Sequence, residues 1–434
     1  MDVSDKVVLK CLECGREYKP VDVYECDCGG LLDVNINMGW ASKAVSRQLF
    51  DKRLGSRDKI FRSGVWRYKE LVNPLADDLC IISRPEGNTN LYEHKRTLEY
   101  AGTRELRLKH EGENPTGSFK DRGMSPGVSE AVRLKMKVVA CASTGNTSAS
   151  MAAYASMAGL KPVVFIPEGK IAYGKLAQAL AYGAKVIQIK GNFDDAMNLV
   201  RDSSRKLGMY LLNSVNPWRI EGQKTIMFEL MQQLSWKTPD WIAVPAGNLG
   251  NTSAFGKALE ELHKLELIDE IPRLASIQAE GANPLYQTWK KKSEKLLKVS
   301  HPETIATAIK IGNPVSWKKA LRALKITNGV VEQVSDQEIM DAKAVIDSSG
   351  IGCEPASAAS LAGVRKLVNS GVIDKKESVV CIITGNILKD PEATVKYHMD
   401  ELDNIKAKYS NQPTLIKPEL EEVERVISGL ISPQ

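Results

Sequence analysis

A short polar segment contains the lysine with the clearest capacity for covalent chemistry. Residues 114–123 read Asn-Pro-Thr-Gly-Ser-Phe-Lys-Asp-Arg-Gly, which is too rich in turn residues for a central strand. We expect a helix to begin near Phe119, with Thr116 or Ser118 as its cap. Because the N-terminal end of a helix disfavours an ammonium ion, Lys120 should lose its proton readily, as a lysine must before it forms an imine.

A glycine-rich loop is the second candidate for ligand chemistry. Residues 242–253 read as a strand, a loop with Gly247 and Gly250, and a helix start at Thr252 or Ser253. The two glycines would let backbone amides close around a phosphate. The spacing matches neither the dinucleotide fingerprint nor a P-loop. Alternatives remain for both segments: a capped helix start with a solvated lysine, and an ordinary turn between strand and helix.

Two further loops have residues that suit anions. Ser143–Thr147 follows a short apolar run and precedes a helix, where free N–H groups and hydroxyls bind negative charge. Leu212–Arg219 ends a strand and opens another helix, and Arg219 could make a bidentate phosphate contact. The alternatives are a helix cap for the first loop and an Asn/Pro turn with a solvated arginine for the second.

The N-terminal region has two pairs of cysteines at metal-ligand spacing. Cys11 and Cys14 are separated by two residues, and Cys26 and Cys28 by one, with Gly15 and Gly29 available for tight turns. Four thiolates would hold zinc tetrahedrally and leave no open position for catalysis, so we predict a structural zinc site. The one-residue spacing of the second pair departs from the common zinc-ribbon pattern. The alternative is four reduced thiols without metal.

The elements between these loops alternate in a way that predicts a parallel sheet. Leu79–Ile82 is strand-like and leads to Glu86–Leu91, and residues 105–110 alternate like a strand before the lysine segment. Later strand-like and helix-like runs follow one another, which favours right-handed crossovers. Ligands of such sheets lie at the carboxyl ends of strands. The later strand-like runs are Lys137–Cys141, Pro162–Ile166, Lys185–Ile189 and Met209–Leu212.

Length and composition narrow the class of protein. The chain has 434 residues, of which 43% are hydrophobic and 26% charged, as is usual for a globular protein with two or three domains. Its net charge of +6 is spread out without a basic stripe, so we expect no nucleic-acid partner. No apolar run reaches membrane-spanning length and no signal peptide is evident. Eight cysteines in a chain of this length do not form a disulfide framework, so we expect a reducing, cytoplasmic compartment and no membrane partner.

The ordered set of motifs resembles the fold type II pyridoxal-phosphate enzymes, and among them the threonine synthases. The similarity rests on the Lys120 segment, the Ser143–Thr147 loop, the Asn213–Arg219 segment and the glycine loop, together with the strand end at Thr384. Glu86–Leu91 also resembles a family segment, with Asn90 where proline is usual. Some threonine synthases also carry an N-terminal cysteine cluster. The resemblance implies an α/β fold with two open-sheet domains and the cofactor in the cleft between them.

The resemblance also implies a role for each candidate residue. Lys120 would be catalytic and carry pyridoxal 5′-phosphate as a Schiff base. Glu354 would lie near the cofactor ring, or only cap a helix. The implied cofactor-binding residues are Phe119, Lys120, Asn146, Gly247, Asn248, Leu249, Gly250, Asn251 and Thr384. The implied substrate-binding residues are Ser143, Thr147, Asn213, Ser214 and Arg219, and the metal ligands would be Cys11, Cys14, Cys26 and Cys28.

The same resemblance implies domain boundaries. We expect an N-terminal cysteine-rich lobe and arm at residues 1–75 and a large cofactor-binding domain at 76–120 and 206–400. A small α/β domain would span 121–205, and a helical extension would span 401–434. We expect a homodimer.

The activity implied by the family is the conversion of O-phospho-L-homoserine and water into L-threonine and phosphate. A threonine or serine dehydratase, or another β-eliminating or β-replacing enzyme of the same fold type, is the alternative. Such enzymes need no anchor for a substrate phosphate, which is the role expected of Arg219. An alternative of another class is a zinc-ribbon adaptor on an inactive enzyme scaffold.

Overall fold

The computed structural model describes residues 6–169, 173–191 and 193–431. Its strands are β1 Val7–Cys11, β2 Glu17–Tyr18, β3 Leu32–Ile36, β4 Leu91–Tyr92, β5 Glu105–His110, β6 Val138–Ala142, β7 Lys161–Pro167, β8 Lys185–Ile189, β9 Tyr210–Leu211, β10 Trp241–Pro245, β11 Arg273–Ala279, β12 Val330–Val334 and β13 Ser378–Ile383. Its α-helices are α1 Met38–Ala44, α2 Arg47–Leu54, α3 Lys69–Val72, α4 Lys95–Ala101, α5 Lys120–Arg133, α6 Asn146–Met157, α7 Tyr173–Ala181, α8 Phe193–Leu207, α9 Pro217–Gln233, α10 Gly250–Lys264, α11 Pro284–Lys290, α12 Trp317–Ile326, α13 Asp336–Asp347, α14 Pro355–Asn369, α15 Pro391–His398 and α16 Leu420–Ile431. Within these ranges, no helix combines the length and apolar character that crossing a bilayer requires.

A six-stranded sheet forms the larger layer of the molecule. Its strand order is β12-β11-β10-β13-β5-β4, and every neighbouring pair is parallel except β4 with β5. All five residues of β10 are buried, because helices cover both faces of the sheet. The prediction of a parallel sheet with helical crossovers is confirmed.

A second sheet of four parallel strands has the order β8-β7-β6-β9. The short strand β9 pairs with β6 through Tyr210 and Leu211, so the chain returns to this sheet before it enters α9. Helices α6 and α7 share one apolar cluster on this sheet, which includes Met151 and Leu176. The two sheets bring the carboxyl ends of β6, β10 and β13 into one region of the fold.

The N-terminal region is a small antiparallel sheet, β2-β1-β3, followed by three helices. Phe50 and Tyr68 of this region are fully buried, and Tyr68 lies between Phe50 and Phe228 of α9 at ring-centroid distances of 4.9 and 5.4 Å. The arm is therefore part of the core that supports α9.

One predicted strand is wrong. The apolar run Leu79–Ile82 does not pair with any strand; residues 78–80 form a 3₁₀ turn and Leu79 is 91% exposed. The turn forms because the Asp77 side chain accepts a hydrogen bond from the N–H of Leu79. Apolar character alone was a poor guide here because four residues are too few to show a period.

A buried ion network fixes the first turn of α5. Arg122 donates from Nε to Glu111 at 2.6 Å and from Nη2 to Glu229 at 2.8 Å, and all three side chains are almost inaccessible to solvent. Lys109 also donates to Glu229, at 2.6 Å. The carboxylate of Glu229 accepts the backbone N–H of Thr89 at 3.0 Å, which ties the segment before β4 to the same network. Removal of one charge would leave its partners buried and uncompensated.

We predict that Arg122→Met lowers the free energy of unfolding by about 3–5 kcal/mol, because Glu111 and Glu229 would remain buried without their cation. Urea unfolding followed by tryptophan fluorescence measures the change. The matched control is Lys264→Met, which removes an exposed pair with Glu260 and should cost less than about 1 kcal/mol. Equal effects of the two substitutions would contradict the structural role of the network.

Candidate active site

Lys120 is the first residue of α5 and lies beside the end of β13. The segment before it is held by backbone hydrogen bonds from Phe119 N to Thr384 O at 3.0 Å and from Asn386 N to Gly117 O at 2.9 Å. Strand β13 and the lysine segment are far apart in sequence but adjacent here. The fold thus places the segment that carries Lys120 next to the strand end that carries the hydroxyl expected at the cofactor ring.

The predicted cap of this helix is wrong. The residue that caps α5 is Phe119, without a side-chain hydrogen bond. Instead, Asp121 within the first turn reaches back and accepts from Thr116 N at 2.7 Å and Thr116 Oγ1 at 2.6 Å. Ser150 of α6 donates to the same carboxylate at 2.5 Å. Burial raises the pKa of Asp121 to about 6, although these hydrogen bonds act in the opposite direction.

The amine of Lys120 is in an environment that favours its neutral form. Burial and, to a smaller extent, the nearby guanidinium of Arg219 together lower the pKa of Lys120 to about 7, while Glu354 acts to raise it. Its Nζ lies 4.0 Å from the ring centroid of Phe119. The lowered pKa agrees with the prediction, but burial and Arg219 are its causes in the structure. An amine of this kind is a nucleophile at neutral pH.

Arg219 is a buried cation without a carboxylate partner among the described ion pairs. It lies on α9, is 2% exposed, and donates from Nη1 to the carbonyl of Leu212 at 3.2 Å. Its Nε has no hydrogen-bond partner. Burial lowers the pKa of Arg219 to about 10. A desolvated guanidinium with a free donor is prepared to receive an anion.

The other residues of the Asn213–Arg219 segment connect two loops. The side chain of Asn213 exchanges two hydrogen bonds with the backbone of Ala142, at 2.9 and 3.0 Å, and so holds the end of β6. Ser214 Oγ accepts from Asn248 Nδ2 at 2.8 Å. The predicted substrate-binding segment and the glycine loop are therefore joined directly.

The glycine loop leads into α10 without a capping side chain. Leu249 precedes the helix in a left-handed conformation at φ 66°, and no side chain caps the first N–H groups of α10. A Cβ added to Gly247 would lie 2.9 Å from the Cα of Ile309, so a larger residue would displace the neighbouring backbone. Uncapped N–H groups beside a loop of this shape are suited to bind an anion such as phosphate.

The Ser143–Thr147 loop also leads into an uncapped helix. The residue before α6 is Gly145, so no side chain caps this helix. The N–H of Gly145 donates to Ser143 Oγ at 3.2 Å. Asn146 Nδ2 donates to the carboxylate of Glu354 at 3.1 and 3.3 Å. This contact joins α6, in the layer of the four-stranded sheet, to the start of α14. Thr147 is half-buried in the first turn of α6. Asn146, predicted to contact a cofactor, is thus paired with a residue of the opposite wall.

Thr384 directly follows β13 and presents a hydroxyl rather than a carboxylate. Its Oγ1 lies 3.0 Å from Ser357 Oγ of α14, and both residues are buried. A pyridine nitrogen facing such a hydroxyl would not gain a full proton from it, because a hydroxyl is a far weaker acid than a protonated carboxyl group.

Buried polar atoms without partners gather around these loops. Among the described residues they include Ser118 Oγ, Arg219 Nε, Gln223 Oε1 and Asn251 Oδ1. Gln223 was missed in the sequence, although it lies one helical turn after Arg219 on α9 and that spacing places both on one face. A phosphorylated ligand with several acceptors and donors would satisfy such a set. The Ser118 hydroxyl and the uncapped helix starts offer donors that fit the anionic phosphate of pyridoxal 5′-phosphate, whereas the amide oxygens of Gln223 and Asn251 can only accept.

The cysteine pairs converge on one point in the N-terminal lobe. The four sulfur atoms of Cys11, Cys14, Cys26 and Cys28 all lie within 4.8 Å of one another. The φ angles of Gly15 and Gly29 are 74° and 80°, so both turns use the conformation that glycine adopts most readily. This geometry suits one tetrahedral metal ion.

Comparisons with known proteins agree with this geometry. The family described as "Pyridoxal-phosphate dependent enzyme" matches residues 82–385. The threonine synthase of Methanocaldococcus jannaschii is 46% identical over 426 residues, which cover 98% of this chain and 100% of that protein. The chain belongs to the threonine synthase family. Threonine synthase 2 (chloroplastic) of Arabidopsis thaliana is 41% identical and covers 93% of this chain and 80% of the relative.

Solved structures extend the match in fold. The crystal structure of threonine synthase from Escherichia coli matches with a TM-score of 0.66 and 16% identity. The match covers 98% of this chain and 100% of that chain. Maize serine racemase has a TM-score of 0.63 and 20% identity over 78% of this chain and 97% of its own. These similarities show that this member of the threonine synthase family has the fold type II architecture. At identities this low, they show the fold alone.

The lowered pKa of Lys120 makes a test possible without any cofactor. The neutral amine is the reactive form, so acetylation of Lys120 by acetic anhydride should reach half its maximal rate near pH 7 and remain fast at higher pH. Mass spectrometry of peptides measures the modification at each pH. In Arg219→Met the midpoint should move to higher pH, because one of the charges that lowers the pKa is removed.

The exposed lysine Lys396 on α15, which pairs with Glu392, is the internal control in the same samples. It should be modified only at distinctly alkaline pH. A midpoint for Lys120 that coincides with that of Lys396 would show that the amine is not desolvated.

Proposed function

We propose that the protein converts O-phospho-L-homoserine and water into L-threonine and inorganic phosphate. The observation that carries the proposal is the near full-length similarity to threonine synthases, combined with a buried, unpaired guanidinium beside a lysine of lowered pKa. A phosphorylated amino acid supplies the anion that Arg219 lacks, and the cleft supplies the amine that the chemistry needs.

Pyridoxal 5′-phosphate is the proposed cofactor, and when bound it supplies an aldehyde carbon and an electron-withdrawing ring. Lys120 is the proposed point of attachment. Phe119, Asn146 and Thr384 are proposed to contact the ring, and Gly247, Asn248, Leu249, Gly250 and Asn251 are proposed to hold its phosphate. Support comes from the uncapped N-terminus of α10, whose free N–H groups can donate to a phosphate.

Lys120 is proposed to move protons at two carbons of the substrate. Its neutral amine takes the proton from the α-carbon and exchanges protons at the β-carbon, while water adds at the β-carbon. A pKa of about 7 suits both directions of transfer, because the amine is neither a strong acid nor fully protonated at neutral pH. Burial around Lys120 also limits the access of other proton donors.

The substrate phosphate is proposed to bind Arg219, Asn213 and Ser214, with Ser143 and Thr147 on the opposite side. The guanidinium of Arg219 stabilises the phosphate as it leaves the γ-carbon. The amide nitrogen of Asn213 carries a second hydrogen beyond the one used on Ala142, so it can still donate. The Ser214 hydroxyl, which accepts from Asn248, can donate its own proton.

Phosphate release from O-phospho-L-homoserine by the purified protein tests the proposal. Arg219→Met should raise the KM by at least roughly ten-fold, since a charge-assisted hydrogen bond to a phosphate is lost. Its affinity for pyridoxal 5′-phosphate should change little. Lys120→Ala should abolish turnover and the visible absorbance of the attached cofactor.

The same assay distinguishes the alternatives. Ammonia release from threonine without phosphate release from the phosphorylated substrate would favour a dehydratase. A colourless protein that takes up no pyridoxal 5′-phosphate would favour an inactive scaffold. Loss of cofactor affinity in Arg219→Met would place Arg219 in the cofactor site and contradict its proposed role.

The cysteine cluster is proposed to hold one structural zinc ion through Cys11, Cys14, Cys26 and Cys28. The closeness of the four sulfur atoms supports it, as does the burial of Cys11 and Cys26 within the lobe. Four protein ligands complete a tetrahedral zinc site, so no catalytic role is proposed.

Metal analysis should find about one zinc per chain. Cys14→Ser should lose most of this zinc and unfold the lobe at a lower temperature, because the thiolate set is incomplete. Cys80→Ser changes a half-buried thiol outside the cluster and should keep the metal. Zinc-free protein with unchanged stability would contradict the proposal.

We further propose a homodimer in the cytoplasm with the domain boundaries given above. Exposed apolar residues on α16, namely Leu420, Val423, Ile427 and Leu430, lie on one helical face that a second copy could cover. All eight cysteines are free thiols, which supports a reducing compartment. The separate four- and six-stranded sheets support a small and a large domain, with β9 at Tyr210–Leu211 in the smaller sheet just beyond the proposed boundary at residue 205. Sedimentation at twice the chain mass of 47.7 kDa would support the dimer, and sedimentation at that mass would contradict it.

A further inference from the structure

Lys389 is a second lysine near the cleft that the proposed chemistry does not use. It ends a 3₁₀ turn, Ile387–Lys389, just after β13. Its side chain crosses the lysine segment at Gly117: a Cβ added there would lie 2.9 Å from Lys389 Cε, and Gly117 has a φ of 84°. The absence of a side chain at Gly117 therefore gives Lys389 its path.

The ammonium group of Lys389 reaches the opposite wall of the cleft. It donates a short hydrogen bond to Oε1 of Gln178, which is on α7 and belongs to the layer of the four-stranded sheet. Lys389 itself follows a strand of the six-stranded sheet. This hydrogen bond thus connects the two layers through residues that are about two hundred positions apart in the sequence.

The partner of Lys389 is neutral, so the contact is a hydrogen bond from a basic group to an amide oxygen and not an ion pair. Among the ion pairs of the described residues, none includes Lys389, and the residue is only half-buried. Burial lowers the pKa of Lys389, while Glu354 and Asp121 nearby act to raise it. A hydrogen bond from a charged donor to an amide oxygen stabilises the fold. Breaking it costs less free energy than separating a buried ion pair.

Helix α7, which carries Gln178, packs against α6, the helix that follows the proposed substrate loop. Leu176 and Ala179 of α7 pack in one cluster with Met151 and Ala152 of α6. The loop Ser143–Thr147 leads into α6. A constraint on Gln178 therefore acts, through two packed helices, on the backbone that is proposed to face the substrate.

Another contact between the layers, Asn146 with Glu354, involves a residue that is itself proposed to bind the cofactor. Neither Lys389 nor Gln178 is among the proposed ligand-binding residues. Their hydrogen bond can therefore persist whatever occupies the cleft.

We propose that Lys389 is a positioning residue that, through Gln178, holds α7 and the Ser143–Thr147 loop against the Lys120 wall of the cleft. This role rests on the proposed function, since the substrate that the loop contacts is O-phospho-L-homoserine. Loss of the contact weakens substrate binding in the ground state and transition state alike, so it raises KM more than it lowers kcat.

The test compares Lys389→Met, Gln178→Leu and the double variant. Each single variant should raise the KM for O-phospho-L-homoserine by roughly ten-fold, and the double variant should show no further increase, because both substitutions break one hydrogen bond. Gln178→Glu, which replaces the amide with a carboxylate, should keep a low KM. Lys396→Met, the same substitution at an exposed ion-paired lysine, should leave KM unchanged.

A second measurement does not depend on activity. Hydrogen exchange of the α7 backbone in the protein without substrate should be faster in Lys389→Met and Gln178→Leu, and unchanged in Lys396→Met. If the wild-type protein released no phosphate from the substrate, the proposed function would fail, while the exchange result would still report on the contact.

Three outcomes would overturn the role of Lys389. The first is unchanged α7 exchange in Lys389→Met. The second is a raised KM in Lys389→Met together with a wild-type KM in Gln178→Leu, which would mean that Lys389 acts without Gln178. The third is additive effects in the double variant, which would mean that the two residues act separately.

Discussion

The buried guanidinium of Arg122 between Glu111 and Glu229 is the interaction on which the site depends. Arg122 lies two residues after Lys120, so its position sets where α5 starts. Glu111 follows β5, and Glu229 belongs to α9. Burial alone would lower the pKa of Arg122, but the two carboxylates raise it above its usual value, so the cation stays charged inside the fold. Movement of any of the three segments would separate buried charges.

The cleft itself shows the opposite arrangement, with two basic side chains that have no carboxylate partner among the described ion pairs. Arg219 and Lys120 both have lowered pKa values, because each is buried and neither has a carboxylate of its own in the described ion pairs. Buried positive charge without compensation is costly in a folded protein. The stability cost is consistent with a site in which a ligand brings the missing negative charge, while the Arg122 network keeps the surrounding backbone in place.

The cysteine lobe is linked to this site through a second set of charges. Lys257 on α10 lies 3.3 Å from Asp33 of β3, and it also pairs with Glu221 of α9, at 2.5 Å. Lys319 of α12 donates to the carbonyl of Leu32 at 2.8 Å. Helix α10 starts at the glycine loop, and α9 carries Arg219, so the lobe contacts both helices that lead from the proposed anion-binding loops.

The sequence determined the local parts of this protein. Turn residues and helix-start chemistry are local, so the Lys120 segment, the glycine loop at Gly247 and Gly250, and the cysteine pairs could all be recognised from neighbouring residues. The alternation of buried strands and helices likewise predicted parallel sheets, because each strand needs both faces covered. The strand expected at Leu79–Ile82 failed, since a short apolar run does not specify whether a sheet has room for it.

The tertiary structure alone decided which distant side chains meet. Asp121 holds the α5 start in place of the predicted cap, Gln223 joins Arg219 on one helical face, and Lys389 meets Gln178 across the cleft. These contacts depend on how two sheets are placed relative to each other, and that placement results from the packing of many residues at once. No local pattern encodes a hydrogen bond between residues that are two hundred positions apart.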